Sequence, residues 1–257
     1  MQQPSNPNFD LTGRVALVTG AGRGIGLAIA RAFSAAGAAV GVQDLELDVA
    51  RSAVDSITAA GGRAAAFGGD ITDLSLPSRL VPEVVDRLGG MHILVNNASI
   101  QAPRPWMELT ADEIEKHLRA DLVSPILMCQ QVVPIFKRQN FGRIINIGSV
   151  QQQKANPKML PYSLSKGALE KFTEGLARSL APDGITINLI APGWIDTYRN
   201  RGDFSSDEEK VRLGRERVPA GRVGEPEDFG GIALLLASAA GEYITGQSIF
   251  VDGGFSM

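Results

Sequence analysis

The chain has 257 residues, 44% of them apolar, and 25 Lys plus Arg against 28 Asp plus Glu give a formal net charge of −3. That length suits one large α/β domain, and the slightly acidic balance lacks the basic excess that binding a nucleic-acid backbone needs. No window approaches ~18 uninterrupted apolar residues, the polar opening Met1-Gln2-Gln3-Pro4-Ser5-Asn6-Pro7 lacks a signal peptide's basic and apolar regions, and a lone Cys129 without a His/Cys cluster offers neither a disulfide nor a zinc site. The expectation is a cytoplasmic protein with a small-molecule substrate and no nucleic acid, membrane or metal as partner.

In chain order, residues 1–8 read as a flexible tail and 9–257 as a single domain. Apolar, β-like runs recur at 15–19, 39–42, 64–67, 92–95, 144–147, 186–190 and 248–251, separated mostly by helix-like stretches. Repeated βαβ units with strands too apolar for one-sided burial predict a doubly wound, Rossmann-type parallel sheet of about seven strands, with helices on both faces. Thr110-Ala111-Asp112-Glu113 is a capping box that opens a long helical segment. Residues 194–217 are rich in charge, lack a strand pattern and read as a mobile substrate lid. Pro226-Glu227-Asp228 then suits the first turn of a further helix.

The motifs that carry chemistry follow the strands. After the first, Gly20, Gly22, Gly24 and Gly26 open a helical run, where a tight turn, close backbone approach and free N–H groups favour a pyrophosphate. The spacing is not the strict Gly-x-Gly-x-x-Gly fingerprint, and strand–helix packing alone also accounts for such a turn. At the end of the second run, Asp44 stands 18 residues after Gly26, where a Rossmann-type site keeps its ribose-binding acid. A carboxylate there accepts from both ribose hydroxyls and repels a 2′-phosphate, which favours NAD over NADP. Arg23 is the contrary signal, since its guanidinium can meet a 2′-phosphate. Gly69-Asp70-Ile71 and Asn96-Asn97-Ala98-Ser99 put small polar groups along the same sheet edge, with a purely structural role equally open for Asn96.

Ser149 ends the fifth run, and 13 residues later Tyr162 and Lys166 lie one turn apart on one helix face. An adjacent ammonium favours the phenolate, which makes the pair a candidate acid/base couple. Ala191-Pro192-Gly193 breaks the sixth run where a loop can face a ligand.

Taken together, Thr19-Gly20-Ala21-Gly22-Arg23-Gly24-Ile25-Gly26, Asn96-Asn97-Ala98, Ser149, Tyr162/Lys166, Pro192-Gly193 and Val251-Asp252-Gly253-Gly254 resemble the classical short-chain dehydrogenase/reductase family over nearly the whole chain. The resemblance implies a nicotinamide-dependent alcohol/ketone oxidoreductase. By that resemblance Tyr162 would exchange a proton with the substrate oxygen, Ser149 would hydrogen-bond that oxygen, and Lys166 would tune the phenol and hold the nicotinamide ribose. It also implies a cofactor groove made by the glycine turn with Arg23 and Ile25, by Asp44 and Leu45, by Asp70 and Ile71 flanking the adenine, and by Asn97 and Ala98. Pro192, Gly193, Ile195 and Thr197 would face the carboxamide and pyrophosphate side. The segment 246–255 commonly lies at a subunit contact in this family, so a homotetramer is expected.

Two positions depart from the family pattern. Ser99 stands where glycine is common, and Asp121 stands where a catalytic asparagine is usual. An ionised Asp only accepts hydrogen bonds and opposes a phenolate, so either the proton relay changes or the helix backbone alone holds the relay's water. The loop Gln151-Gln152-Gln153-Lys154 wants polar partners, Trp106 offers a face to a sugar ring, and Arg199 or Arg201 can meet an anion. If these side chains do not simply point to solvent, the substrate is a sugar, polyol or sugar acid. The alternatives are an NADP(H)-dependent 3-oxoacyl-type reductase and a cofactor-binding scaffold without turnover.

Overall fold

A computed structural model describes residues 7–257, apart from the side chains of Pro7, Arg201 and Asp203. The expected tail at 1–8 therefore falls mostly outside the described residues, and its last part belongs instead to a 3-10 turn at Pro7–Phe9. In chain order the elements are β1 (Val15–Val18), α1 (Gly24–Ala35), β2 (Ala39–Asp44), α2 (Leu47–Ala59), β3 (Arg63–Gly68), α3 (Leu76–Leu88) and β4 (Ile93–Asn96). There follow α4 (Ala111–Leu118), α5 (Ser124–Gln139), β5 (Gly142–Ile147), α6 (Leu160–Leu180), β6 (Ile185–Pro192), α7 (Asp207–Arg217), α8 (Gly230–Ala237) and β7 (Ser248–Val251).

Among the described residues the strands form one seven-stranded sheet in the order β3-β2-β1-β4-β5-β6-β7. Every pairing is parallel. All residues of β1, β2, β4, β5 and β6 are buried, which is why these segments are apolar without alternation. Successive residues still face opposite layers. Ala16, Val18, Val40 and Val42 pack with Ile29, Phe33, Phe229 and Leu236 on one side. Val15, Leu17, Ala39 and Leu94 pack with Leu80, Val84, Phe136 and Leu180 on the other.

The order reverses between β1 and β4, and there the carboxyl ends of the strands leave a crevice. A buried polar chain ties that crevice together. Asn96 donates to Asn146 Oδ1 (2.9 Å), Asn146 to Thr173 Oγ1 (2.9 Å), and Thr173 to the Leu169 carbonyl (2.8 Å). These bonds run from β4 through β5 to α6, and they give Asn96 the structural role.

Candidate active site

The chain turns sharply from β1 into α1, and glycine permits it. Gly20 has φ +60°, and a Cβ there would stand 2.8 Å from the Ala98 Cα. A Cβ on Gly26 would lie 2.6 Å from the Gly20 carbonyl oxygen. Thr19 Oγ1 accepts from the N–H groups of Asn97 and Ala98, each at 3.0 Å. The Asn97 amide donates to the carbonyls of Thr19 (2.8 Å) and Gly20 (2.9 Å). Asn97 thus clamps the turn from across the crevice.

Gln43 does the same from β2, donating to the Gly69 carbonyl (2.7 Å) and accepting from the Gly20 N–H (3.3 Å). Sequence reasoning missed Gln43, although a glutamine inside an apolar strand was the signal available. No side chain caps the start of α1, so its N–H groups and positive dipole end remain for an anion.

Asp44 closes β2. Its Oδ2 accepts from the Gly22 N–H (3.1 Å) and its Oδ1 from the Glu46 N–H (3.4 Å), which fixes the carboxylate at the glycine turn. Arg23 is tethered nearby, paired with Glu46 at 3.3 Å and lying 4.6 Å from the Tyr198 ring centroid. Two acids therefore surround this end of the groove, and its arginine is already engaged.

The chemistry sits on α6, where the buried stripe Tyr162, Lys166, Leu169, Thr173 and Ala177 repeats at helical spacing. Lys166 is 2% exposed, and its Nζ donates to the Ile147 carbonyl at 2.9 Å, which binds the ammonium to the end of β5. The same Nζ lies 5.4 Å from the Tyr162 ring centroid. Ser149 Oγ accepts from the Gln151 N–H (3.2 Å), leaving its hydroxyl proton free to donate to a substrate oxygen.

Asp121 lies in a π turn, Arg119–Val123, between α4 and α5. Pro125 has no N–H to offer the Asp121 carbonyl, so the α-helical ladder breaks there, and Ser124 donates to Arg119 five residues back. The carboxylate is fully buried and 3.6 Å from Lys166 Nζ, and neither oxygen has a hydrogen-bond partner among the described residues. Burial pushes the Asp121 carboxyl above the usual carboxylate range, against the pull of Lys166, His117 and Arg199.

Apart from the buried Asp121, which does not line it, the groups on α6 and at the glycine turn open on one cleft of about 1280 Å³, larger than the ~300–1,000 Å³ of a pocket for one small ligand. Gly20, Arg23, Gly24, Ile25, Asp44, Leu45, Asp70, Ile71, Asn97 and Ala98 line one arm. Ser149, Tyr162, Lys166, Pro192, Gly193, Ile195 and Thr197 line the other. Gly22 and Gly26 stand behind the wall and act by close packing. Glycines whose Cβ atoms would fill the turn, with a carboxylate at the end of β2, fit an adenine dinucleotide.

The substrate residues divide. Gln151 lines the cleft and accepts from Ser163 Oγ at 2.9 Å. Gln152 does not line it. Its amide donates to Glu170 (2.7 Å) and Ser248 (3.4 Å), and its Oε1 accepts from the Ser149 N–H (3.3 Å), so it braces the catalytic loop. Trp106 is 59% exposed in a 3-10 turn outside the cleft. The indole in the cleft is Trp194, stacked on Phe204 at 5.0 Å and 6.4 Å from Phe255.

Arg199 lines the cleft but holds Ser99, donating to its Oγ and its carbonyl at 2.7 Å each. The Arg201 side chain lies outside the described residues. The expected lid at 194–217 is a 3-10 turn, Tyr198–Asp203, followed by α7. It forms a flap whose Tyr198, Arg199, Leu213 and Arg217 reach the cleft.

A family model described as enoyl-(acyl carrier protein) reductase matches residues 20–256. The galactitol 2-dehydrogenase of Agrobacterium fabrum (strain C58) is 37% identical over 253 residues, covering 95% of this chain and 98% of the relative. A 3-oxoacyl-[acyl-carrier-protein] reductase of Aquifex aeolicus (strain VF5) is 35% identical, with 95% and 98% covered. The solved gluconate 5-dehydrogenase from Burkholderia cenocepacia J2315, in complex with NADP and tartrate, superposes with a TM-score of 0.90 at 36% identity, covering 97% of this chain and 98% of that one. With Ser149, Tyr162 and Lys166 gathered beside the glycine turn in this fold, the chain belongs to the classical short-chain dehydrogenase/reductase family.

Proposed function

We propose that this protein is an NAD-preferring dehydrogenase that oxidises a secondary hydroxyl of a small polar substrate, a sugar, polyol or sugar acid, or reduces the corresponding ketone. The convergence of Ser149, Tyr162 and Lys166 on one cleft beside the glycine turn carries the reading. A nicotinamide dinucleotide, when bound, supplies the hydride acceptor or donor. Gly20, Gly24 and Ile25 would hold its pyrophosphate and Asp44 its adenosine ribose.

The remaining chemistry belongs to the chain. Ser149 donates to the substrate oxygen and orients it, and Tyr162 takes or gives the proton at that oxygen. The buried Lys166 holds its Nζ 5.4 Å from the centroid of the Tyr162 ring. Positioned groups of this kind contribute about 10²–10⁴-fold.

The polar substrate is supported by the cleft's outer wall, where Gln151, Lys154, Asn156 and Lys158 offer hydrogen bonds and Trp194 offers an apolar face. NAD is supported by Asp44 and Glu46 at the groove's end, although the Burkholderia relative binds NADP. The half-exposed edge strand β7 and the fully exposed Tyr243 support burial against further copies, as in a homotetramer. No helix of the described residues is long and apolar enough to cross a membrane, and with a buried free Cys129 we place the enzyme in the cytoplasm.

Cofactor reduction across sugars, polyols, aldonates and acyl thioesters, with both cofactors, tests the assignment. Turnover should appear with a polar alcohol and NAD. In Tyr162→Phe it should fall by about 10²–10⁴-fold while cofactor binding, read by fluorescence titration, holds. Efficient turnover of an acyl thioester with NADP(H) alone would establish the 3-oxoacyl-type reductase instead.

A further inference from the structure

Asp121 is surrounded by charged and titratable groups, yet hydrogen-bonded by none of them. Lys166 approaches from α6 to 3.6 Å, but its Nζ makes its hydrogen bond to the Ile147 carbonyl. His117, one turn earlier on α4, is buried with Nδ1 2.8 Å from the Glu113 carbonyl. Arg199, from the flap, is occupied by Ser99. The Ile100 N–H, after β4, is directed toward the carboxylate without reaching hydrogen-bond geometry. An ionised carboxylate buried with both oxygens unbonded is among the least favourable states a protein interior can hold.

We propose that Asp121 works as a neutral carboxylic acid, donating from one oxygen and accepting with the other, so that it serves beside Lys166 as a carboxamide would and loses that role on ionising. A protonated carboxyl carries one O–H donor and a carbonyl acceptor, the complement of an asparagine amide, whereas a carboxylate only accepts. Burial, which pushes this carboxyl up, works in the same direction. Neutral Asp121 leaves the whole ammonium charge of Lys166 facing the Tyr162 ring. Ionised Asp121 pairs with that ammonium and adds a negative charge that opposes the phenolate. Asp121 is thus a positioning residue, acting through Lys166. The O–H bond that breaks on ionisation gives its proton to solvent.

The inference rests on the dehydrogenase reading, but its first test does not. In ligand-free protein labelled with carboxyl-¹³C aspartate, one resonance, absent from Asp121→Asn, should titrate above the ordinary aspartate range. A resonance titrating at or below that range overturns the proposal. Stability follows the same sign. A folded carboxyl that holds its proton above its unfolded value makes wild type lose thermal stability relative to D121N as pH rises through the folded midpoint.

In turnover, the ratio of wild-type to D121N kcat should fall about tenfold per pH unit above that midpoint, and D121A, with no donor, should be slower than D121N at every pH. A ratio that stays flat across the midpoint found by the carboxyl titration, in an active enzyme, also overturns the proposal. Failure of every alcohol in wild type would count against the dehydrogenase reading, and the carboxyl titration would then decide the state of Asp121 alone.

Discussion

Asp44, the residue proposed to set cofactor choice, is held at the glycine turn by two backbone N–H groups. Unit charges roughly 4 Å apart at an effective dielectric of 20 repel by about 4 kcal/mol, which is the basis for the proposed preference against a 2′-phosphate. Asp44→Ala should therefore raise the NADP/NAD efficiency ratio by at least about tenfold in steady-state kinetics, and an unchanged ratio would remove Asp44 from cofactor choice. The two glutamines after Ser149 make a contrasting pair. Gln151→Leu should alter KM and substrate ranking. Gln152→Leu strips partners from Glu170 and the Ser149 N–H, and should cost about 1–3 kcal/mol of stability with the ranking preserved. Thermal melts beside the substrate panel separate the two effects. If Gln152→Leu reordered substrates at full stability, the bracing role assigned to it would fail. Adjacent positions read alike in sequence because both are polar residues leaving a strand, and only the 3-10 turn at Val150–Gln152 sends one side chain into the cleft and the other behind it. Trp106 was expected at the substrate and Trp194 was not, for the same reason, since an indole's chemistry is visible in sequence and its direction is not. Tyr162 and Lys166 were legible because four residues on a helix fix a shared face without tertiary information.

At the scale of elements, β1, β2, β4, β5 and β6 were legible because burial on both faces demands nearly unbroken apolar runs, and strand ends moved by one or two residues where ladder bonds outlast the apolar pattern. The capping box was legible too. Thr110 Oγ1 accepts from the Glu113 N–H at 3.3 Å, and Glu113 Oε2 accepts from the Thr110 N–H at 2.9 Å. Hydrogen bonds from the Thr110 backbone and side chain, then from Arg104, hold the Glu113 carboxyl down to about 2. A depressed acid contributes stability that is fully present above its unfolded value and is lost as pH falls through the folded one. The stability gap between wild type and Glu113→Gln should therefore hold above the ordinary glutamate value of about 4.5 and close toward pH 2. Urea titrations at several pH values check this, and a gap that widens with acid contradicts it. The π turn that presents Asp121 was not legible as a break, because 111–139 carries one continuous helical pattern. Pro125, four residues after Asp121, was the available clue.

Over the whole molecule, the chain from Asn96 through Asn146 and Thr173 to Leu169 joins the strand beside the glycine turn to the helix that carries Tyr162. The cofactor arm and the proton-transfer arm are therefore one rigid frame, and variation is left to the flap. Among its ties to the domain, that flap meets the cofactor arm through Tyr198 against Arg23 and Arg199 on Ser99. Arg199→Ala removes two hydrogen bonds and should raise the NADH dissociation rate, read by stopped-flow fluorescence, about 5–10-fold. An unchanged rate would mean that the fastening does not hold the cofactor. Ser99 follows Asn97 and Ala98 along the cleft, and Leu213 and Arg217 of the same flap line that cleft too. If this fastening opens and closes, it would set an order for both ligands. On the proposed dehydrogenase reading, a dinucleotide would enter before the flap is drawn down and leave after it is released, with the smaller substrate passing in between. The expected signature is compulsory order, cofactor first in and last out, with NADH competing against NAD and the ketone product competing against neither.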